Sequence, residues 1–350
     1  MIDSGIEETH PDLQTNKWAN TLECSGADGV DDDGNGFIDD CHGYNHADGT
    51  SVLLGSGDHG TACTGLIAGT CDNSIGVCGV AGGRNGQPGT SYLTSTVFGT
   101  SGAQGFAEAL VYGADQGVFA SSNSWGYTTA GVYEDSVLAA VDYAVNGGVV
   151  VIFAAGNANR QGDYYPGCYN RTLAVGAVTN KKIKSSYSNY GEWVDLSAPG
   201  DAIYSTGYTD AGSYGAYTGT SFATPVVAGA LALAKSWAGS SASSSHLVEC
   251  LVGTASNLDT FNSDIYAGKL GGLLDVPALL ACATVPSPAP TATVLPTLTV
   301  APSRAPVPRP SMSPTLNPTT TRRPTVAPTE APRIFNLACA QNDCWLEKRL

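Results

Sequence analysis

GGVVVIFAAGN, residues 147–157, holds four consecutive β-branched residues and then Phe153 and two alanines before a Gly-Asn corner. A strand with one wet face alternates polar and apolar residues. This one does not, so it is expected to be buried on both faces, as in a parallel sheet. TLAVGAV (172–178) and WVDLSAP (193–199) read as further strands. AQGFAEALVYGADQG (103–117), SVLAAVDYAVNGG (136–148) and SFATPVVAGALALAKSWA (221–238) carry the apolar spacing of helices. Strands interleaved with helices predict an α/β domain, a doubly wound and mostly parallel sheet flanked by helices. Its site should lie where strands end in loops.

That pattern stops at Cys282. Of the chain's 19 prolines, 13 lie between Pro286 and Pro332, mixed with Thr, Ser, Ala and Val. Such a segment cannot bury a core, so 283–333 is expected to be a disordered Pro/Thr-rich linker or stalk. Residues 334–350 read as the start of a truncated Cys-containing module, leaving 1–282 as the globular domain. The net charge is −15, and residues 1–282 carry 9 Lys+Arg against 28 Asp+Glu. This acidity argues against nucleic acid or an anionic membrane as partner and is compatible with bound calcium.

Ten cysteines without any C-x-x-C pair favour a secreted disulfide framework over a zinc or redox motif. Proximity suggests Cys24 with Cys41, Cys71 with Cys78, and Cys250 with Cys282. One glycosylation sequon, Asn170-Arg171-Thr172, agrees with export, and no run is long and apolar enough to span a bilayer. The expected location is therefore extracellular or cell-surface, with the stalk available for wall or matrix attachment.

Four short motifs carry chemistry. In YTGTSFATPVVAGALALA, Ser221 opens a long apolar helix, with Pro225 expected in its first turn. A serine there faces unsatisfied N–H groups that favour a developing oxyanion. In DHGTACTGLIAG, His59 starts another helix and could take the serine's proton. Asp3, in MIDSG, sits at an apolar strand end, where it could fix an imidazole tautomer. Asn157 ends the buried strand and could donate to an oxyanion. Each signal has a bland reading, an ordinary N-cap serine for Ser221 and a structural histidine for His59. Their order is what raises them together.

Asp-Ser-Gly, His-Gly-Thr, Ala-Ala-Gly-Asn and Gly-Thr-Ser-Phe-Ala-Thr-Pro, in that order, resemble the signatures of the subtilisin-like serine proteases (subtilases) over residues 1 to about 280. The resemblance implies a secreted serine endopeptidase that acts on proteins or peptides without a catalytic cofactor. Asp3 would orient His59, His59 would be base and then acid, and Ser221 the nucleophile. Asn157 and the Ser221 N–H would form the oxyanion hole. It also implies that Ser124, Trp125 and Gly126 line the substrate cleft and that a second substrate strand passes near Gly102. Tyr164 falls where many relatives have a small residue at the floor of the primary specificity pocket, predicting a poor fit for bulky aromatic P1 side chains. Cys63 is expected as a buried free thiol under the site. The alternatives are a catalytically silent binding protein displayed on the stalk, or an inactive fragment.

Two structural calcium sites are implied. HPDL and NSIGV match a family calcium loop, giving Asp12, Asn73 and the carbonyls of Ile75 and Val77. DDDGNGFIDD reproduces the first half of an EF-hand with Asp31, Asp33, Asn35 and Asp39, but position twelve is His42 rather than Glu. Finally, the resemblance implies a leader and a longer approach to the Asp3 strand, so the domain is expected to be N-terminally truncated and to fold poorly as given.

Overall fold

The computed structural model describes residues 1–284 except 55–57, 86, 209–211 and 240–241; most of the linker and all of the final module expected from the sequence lie outside these residues. The strands are β1 (Ile2–Asp3), β2 (Gly43–Asn45), β3 (Thr94–Thr96), β4 (Phe98–Gly99), β5 (Gly102–Ala103), β6 (Ala120–Asn123), β7 (Val150–Ala154), β8 (Leu173–Val178), β9 (Leu196–Pro199), β10 (Ile203–Thr206), β11 (Tyr214–Tyr217) and β12 (Gly272–Leu273). The α-helices are α1 (Thr21–Ser25), α2 (His59–Ala68), α3 (Phe106–Asp115), α4 (Asp135–Asn146), α5 (Thr220–Ala238), α6 (Ser244–Gly253) and α7 (Val276–Ala283).

Eight strands form one sheet in the order β12-β9-β8-β7-β6-β1-β3-β2, and every pairing in it is parallel. The apolar run within 147–157 forms β7, flanked by β6 and β8. Its side chains alternate between two apolar cores. Val150 and Ile152 pack with α5, while Val151 and Phe153 pack with α3 and α4. This two-sided burial explains the unbroken hydrophobic run, because neither face meets water. Each fully buried side chain of this size contributes about 1.5–3 kcal/mol.

The chain leaves β1, builds β2 at the sheet edge, returns through β3, and then crosses to β6 on the other side of β1. The order therefore reverses around β1, and Asp3 is its last residue. Doubly wound sheets place their ligand crevice at such a point, beyond the carboxyl ends of the strands. Helix α2 can lie against that end because its second residue is Gly60. A Cβ there would sit 2.1 Å from the Gly5 carbonyl oxygen and 3.2 Å from the Asp3 Cβ.

Disulfides join Cys24–Cys41, Cys71–Cys78 and Cys250–Cys282, the same three pairs that proximity suggested. Among the described residues Cys63 and Cys168 are free, Cys63 being buried. No helix among the described residues is long and apolar enough to cross a membrane.

Candidate active site

Strand ends and helix starts bring the four motifs to one edge of the sheet. The Asp3 carboxylate, 2 % exposed, takes hydrogen bonds at the same oxygen from His59 Nδ1 (2.7 Å) and the Ser4 N–H (2.7 Å). A carboxylate facing these groups can only accept, so Nδ1 carries a proton, and in the neutral ring Nε2 holds the lone pair that a general base needs. Nε2 is buried and has no hydrogen-bond partner, as is the second oxygen of Asp3. Burial pulls the His59 pKa down, but the Asp3 carboxylate more than offsets this and holds it well above the ordinary histidine value. Cys63 lies beneath the ring, 3.9 Å from Nδ1. Burial pushes its thiol up, so it is a neutral neighbour.

Ser221 is the second residue of α5, and the Phe222 ring packs 5.1 Å from the His59 ring. Its hydroxyl donates to the Ser124 carbonyl (3.4 Å), not to His59. Pro225 is not in the first turn, as the sequence reading expected, but one turn further inside α5. The missing Pro225 N–H would have bonded the carbonyl four residues back, which is that of Ser221. This orphaned carbonyl instead accepts from Ser124 Oγ (2.8 Å) and Cys63 Sγ (3.3 Å). The proline thus ties the serine's helix to the end of β6.

Asn157 lies three residues past β7. Its side-chain oxygen accepts from both the backbone N–H and the hydroxyl of Thr220, each at 2.9 Å. Because an N–H can only donate, the oxygen is fixed there and the amide NH₂ is left for another acceptor. Sequence reasoning missed Thr220, although it stands beside Ser221 in the same motif.

Of the expected substrate residues, Ser124 directly follows β6. Trp125 is 1 % exposed and packs between Phe106 and Phe153, so its indole is a core group and only its backbone can line a cleft. Gly126 is buried, and Tyr127 beyond it donates its N–H to the Tyr165 carbonyl (2.9 Å). The strand after β6 therefore borders the loop that carries Tyr164, itself 7 % exposed. Gly102 is exposed in the β4–β5 hairpin. Asp48 braces that hairpin by accepting the N–H groups of Thr100 and Ser101, which hold its carboxyl below the usual carboxylate range.

The calcium candidates divide differently from expectation. Asp12 is fully buried and accepts from Asn73 Nδ2 (2.6 Å) and the Val77 N–H (2.7 Å), while Asn73 Oδ1 accepts from the Ile75 N–H (3.1 Å). Both oxygens of this buried carboxylate are thus met by N–H donors, and the Asn73 amide turns its nitrogen, not its oxygen, toward it. In the acidic loop the carboxylates gathered within 4.8 Å are Glu23, Asp33 and Asp40. Asp31 instead caps the N–H groups of Gly34, Asn35 and Gly36, and Asp39 that of Gly29. Asn35 donates to Asp33 and Asp40 and turns its oxygen to the Phe37 N–H. Burial, with Asp33 adding to it, pushes the Asp40 carboxyl up against hydrogen bonds from Tyr112, Asn35 and Asn20.

The model of the Subtilase family matches residues 1–269. The chain belongs to the subtilase family. It is 35% identical over 236 residues to thermitase of Thermoactinomyces vulgaris, covering 67% of this chain and 72% of that one. It is 36% identical over 238 residues to subtilisin NAT of Bacillus subtilis subsp. natto, covering 67% of this chain but 54% of that relative. Among solved structures it resembles a cold adapted subtilisin-like serine proteinase, with TM-score 0.60 and 26% identity over 78% of this chain and 86% of that one. By family this subtilase is a serine-type endopeptidase, a hydrolase. The matched region spans about half the length of several of its curated relatives.

Proposed function

We propose that this subtilase cleaves peptide bonds through an acyl-enzyme on Ser221, with His59 as proton carrier and Asp3 as its orienting group. The observation that carries this reading is the buried Asp3–His59 pair, 2.7 Å apart, whose Nε2 is unspent beside the start of α5. In the reaction the Ser221 hydroxyl would leave the Ser124 carbonyl for Nε2, a bond of the kind that commonly tightens only with substrate bound. His59 takes the hydroxyl proton as Oγ attacks the carbonyl carbon. The oxyanion then forms between the Asn157 amide and the first-turn N–H groups of α5, where the helix dipole favours negative charge. Protonated His59 gives its proton to the leaving amine, and water, deprotonated by His59, releases the acid.

In this reading the backbone of Ser124–Gly126 and the hairpin at Gly102 pair with an extended substrate, and Tyr164 limits the depth of the P1 pocket. Domain 1–282 is secreted, and the Pro/Thr-rich segment serves as a stalk for wall or matrix attachment. Calcium is structural: Asp12, Asn73, Ile75 and Val77 would hold one ion, and Asp31, Asp33, Asn35 and Asp39, with the neighbouring carboxylates of Glu23 and Asp40, would hold another, the ion replacing the hydrogen bonds that satisfy these oxygens. Bound there, it would supply the positive charge that the clustered carboxylates lack. A calcium-dependent rise in melting temperature, lost in Asp12→Asn, supports the first site; an unchanged melt with calcium and with chelator removes both.

A serine-directed fluorophosphonate probe tests the catalytic reading. Labelling of the wild type and none of Ser221→Ala supports it. A folded wild-type protein that neither labels nor cleaves peptides refutes it and returns the silent binding protein.

A further inference from the structure

The oxyanion donor Asn157 sits on an irregular segment between β7 and the chain's next corner, where no ladder fixes it. Its neighbours on both sides are held from residues 187–190: the Asn159 N–H donates to the Tyr187 carbonyl (2.7 Å) and the Tyr190 N–H to the Arg160 carbonyl (3.2 Å), and Asn189 between them makes the largest set of contacts. Asn189 is 1 % exposed. Its side-chain oxygen accepts from the N–H groups of Ala158 (3.0 Å) and Arg160 (3.1 Å). Its side-chain nitrogen donates to the Ala155 carbonyl (2.8 Å), and its backbone N–H donates to the Gly156 carbonyl (2.9 Å). Two donors meet the oxygen and one acceptor meets the nitrogen, so the amide is satisfied in one orientation only. Gly156 has φ 98°, and a Cβ on it would sit 2.5 Å from Asn189 Nδ2. Glycine is therefore needed for the backbone conformation and also for the approach of this amide. Around Asn157 the backbone is thus clamped from Ala155 to Arg160, while its own side chain is aimed by Thr220.

We infer that Asn189 is a positioning residue for the oxyanion hole: it acts on the reaction through Asn157, by holding the loop that aims the Asn157 amide, without touching substrate. The inference rests on the protease reading above. Loss of the clamp lets the amide drift while the substrate strands and the Asp3–His59 pair stay in place. Donor misplacement of this kind acts on the transition state rather than on ground-state binding, so kcat falls and KM holds.

The test is a double-mutant cycle on the full chain with a peptide p-nitroanilide, active sites being counted with the fluorophosphonate probe. Asn189→Ala is expected to lower kcat about 10- to 100-fold, the order of loss for a displaced catalytic group, with KM within about twofold. Added to Asn157→Ala, it should lower kcat by less than about threefold more, because its route of action is already gone. Asn189→Asp keeps the oxygen that accepts from Ala158 and Arg160 but turns the Ala155 contact repulsive, so its kcat should fall between wild type and Asn189→Ala. It also serves as the second variant should Asn189→Ala not fold. Fully multiplicative losses in the double mutant, or an unchanged kcat in either folded variant, overturn the role of Asn189 alone. Absence of Ser221-dependent turnover in the wild type overturns this inference together with the protease reading.

Discussion

The edge proposed to be catalytic and the acidic loop of residues 20–42 are both dense in polar side chains, and they use them in opposite ways. At the catalytic edge atoms are left unspent: one oxygen of Asp3, Nε2 of His59 and the amide NH₂ of Asn157. In the acidic loop both oxygens of Glu23, Asp31, Asp33 and Asp40 accept hydrogen bonds, and a disulfide closes the segment. Leaving a buried polar group unpaired costs about 1–3 kcal/mol, and two of these atoms, the Asp3 oxygen and His59 Nε2, are buried without a partner. A stabilising loop spends its polar groups on itself, whereas a reactive site keeps some in reserve.

This contrast can be broken or sharpened experimentally. The largest effect should come from Ser221→Ala, which is expected to lower kcat by about 10⁶-fold, a magnitude carried over from subtilisin, with the melt nearly unchanged. A residual rate within tenfold of wild type would mean that another group is the nucleophile. Next, Asp3→Asn should lower kcat by about 10⁴-fold by releasing the Nδ1–H tautomer. It should also move the acid limb of the pH profile. With Asp3 present, His59 keeps its proton to a pH above the ordinary 6.5, so kcat/KM is lost as pH falls through that raised pKa. With Asn the negative charge that stabilises the imidazolium is gone, and the limb should shift to lower pH. An unmoved limb in the variant would show that a different group titrates.

Tyr164→Gly should favour Phe over Ala at P1 by about tenfold in kcat/KM relative to wild type, since pocket depth acts through a few methylene-sized contacts. Equal ratios would place Tyr164 away from the pocket. The smallest effect on catalysis belongs to the acidic loop. Removing the Cys24–Cys41 bridge, which spans 17 residues, should cost about 3 kcal/mol of stability. The turnover of each folded molecule should hold. A matching loss of kcat would mean that the two regions are mechanically coupled.

Residues with a local signature were legible. β7 and β8 and the three long helices fall within a few residues of their predicted ranges, because a strand buried on both faces and an amphipathic helix write their environment into consecutive residues. Asp3, His59, Asn157 and Ser221, the residues proposed to carry the reaction, stand in four motifs in a fixed order. The three bridges could be guessed because short closures are local. Trp125 was placed in the cleft by its position in SNSWG, yet strand alternation sends its indole into the core. Pro225 lies one turn deeper than the motif suggests, because α5 already begins at Thr220. In the acidic loop the EF-hand spacing points to Asp31 and Asp39, whereas the carboxylates gathered within 4.8 Å are Glu23, Asp33 and Asp40.

Sequence by itself determined which elements form and which reactive groups the chain offers, since propensity, periodicity and short motifs act between near neighbours. Only the tertiary structure decided what those groups meet. It placed Asp3 2.7 Å from His59 across 56 residues, left the Ser221 carbonyl to Ser124 and Cys63, and wrapped Asn189 around the Asn157 loop. These contacts join distant segments, each costing loop-closure entropy that only the whole buried core offsets. No local stretch of sequence encodes them.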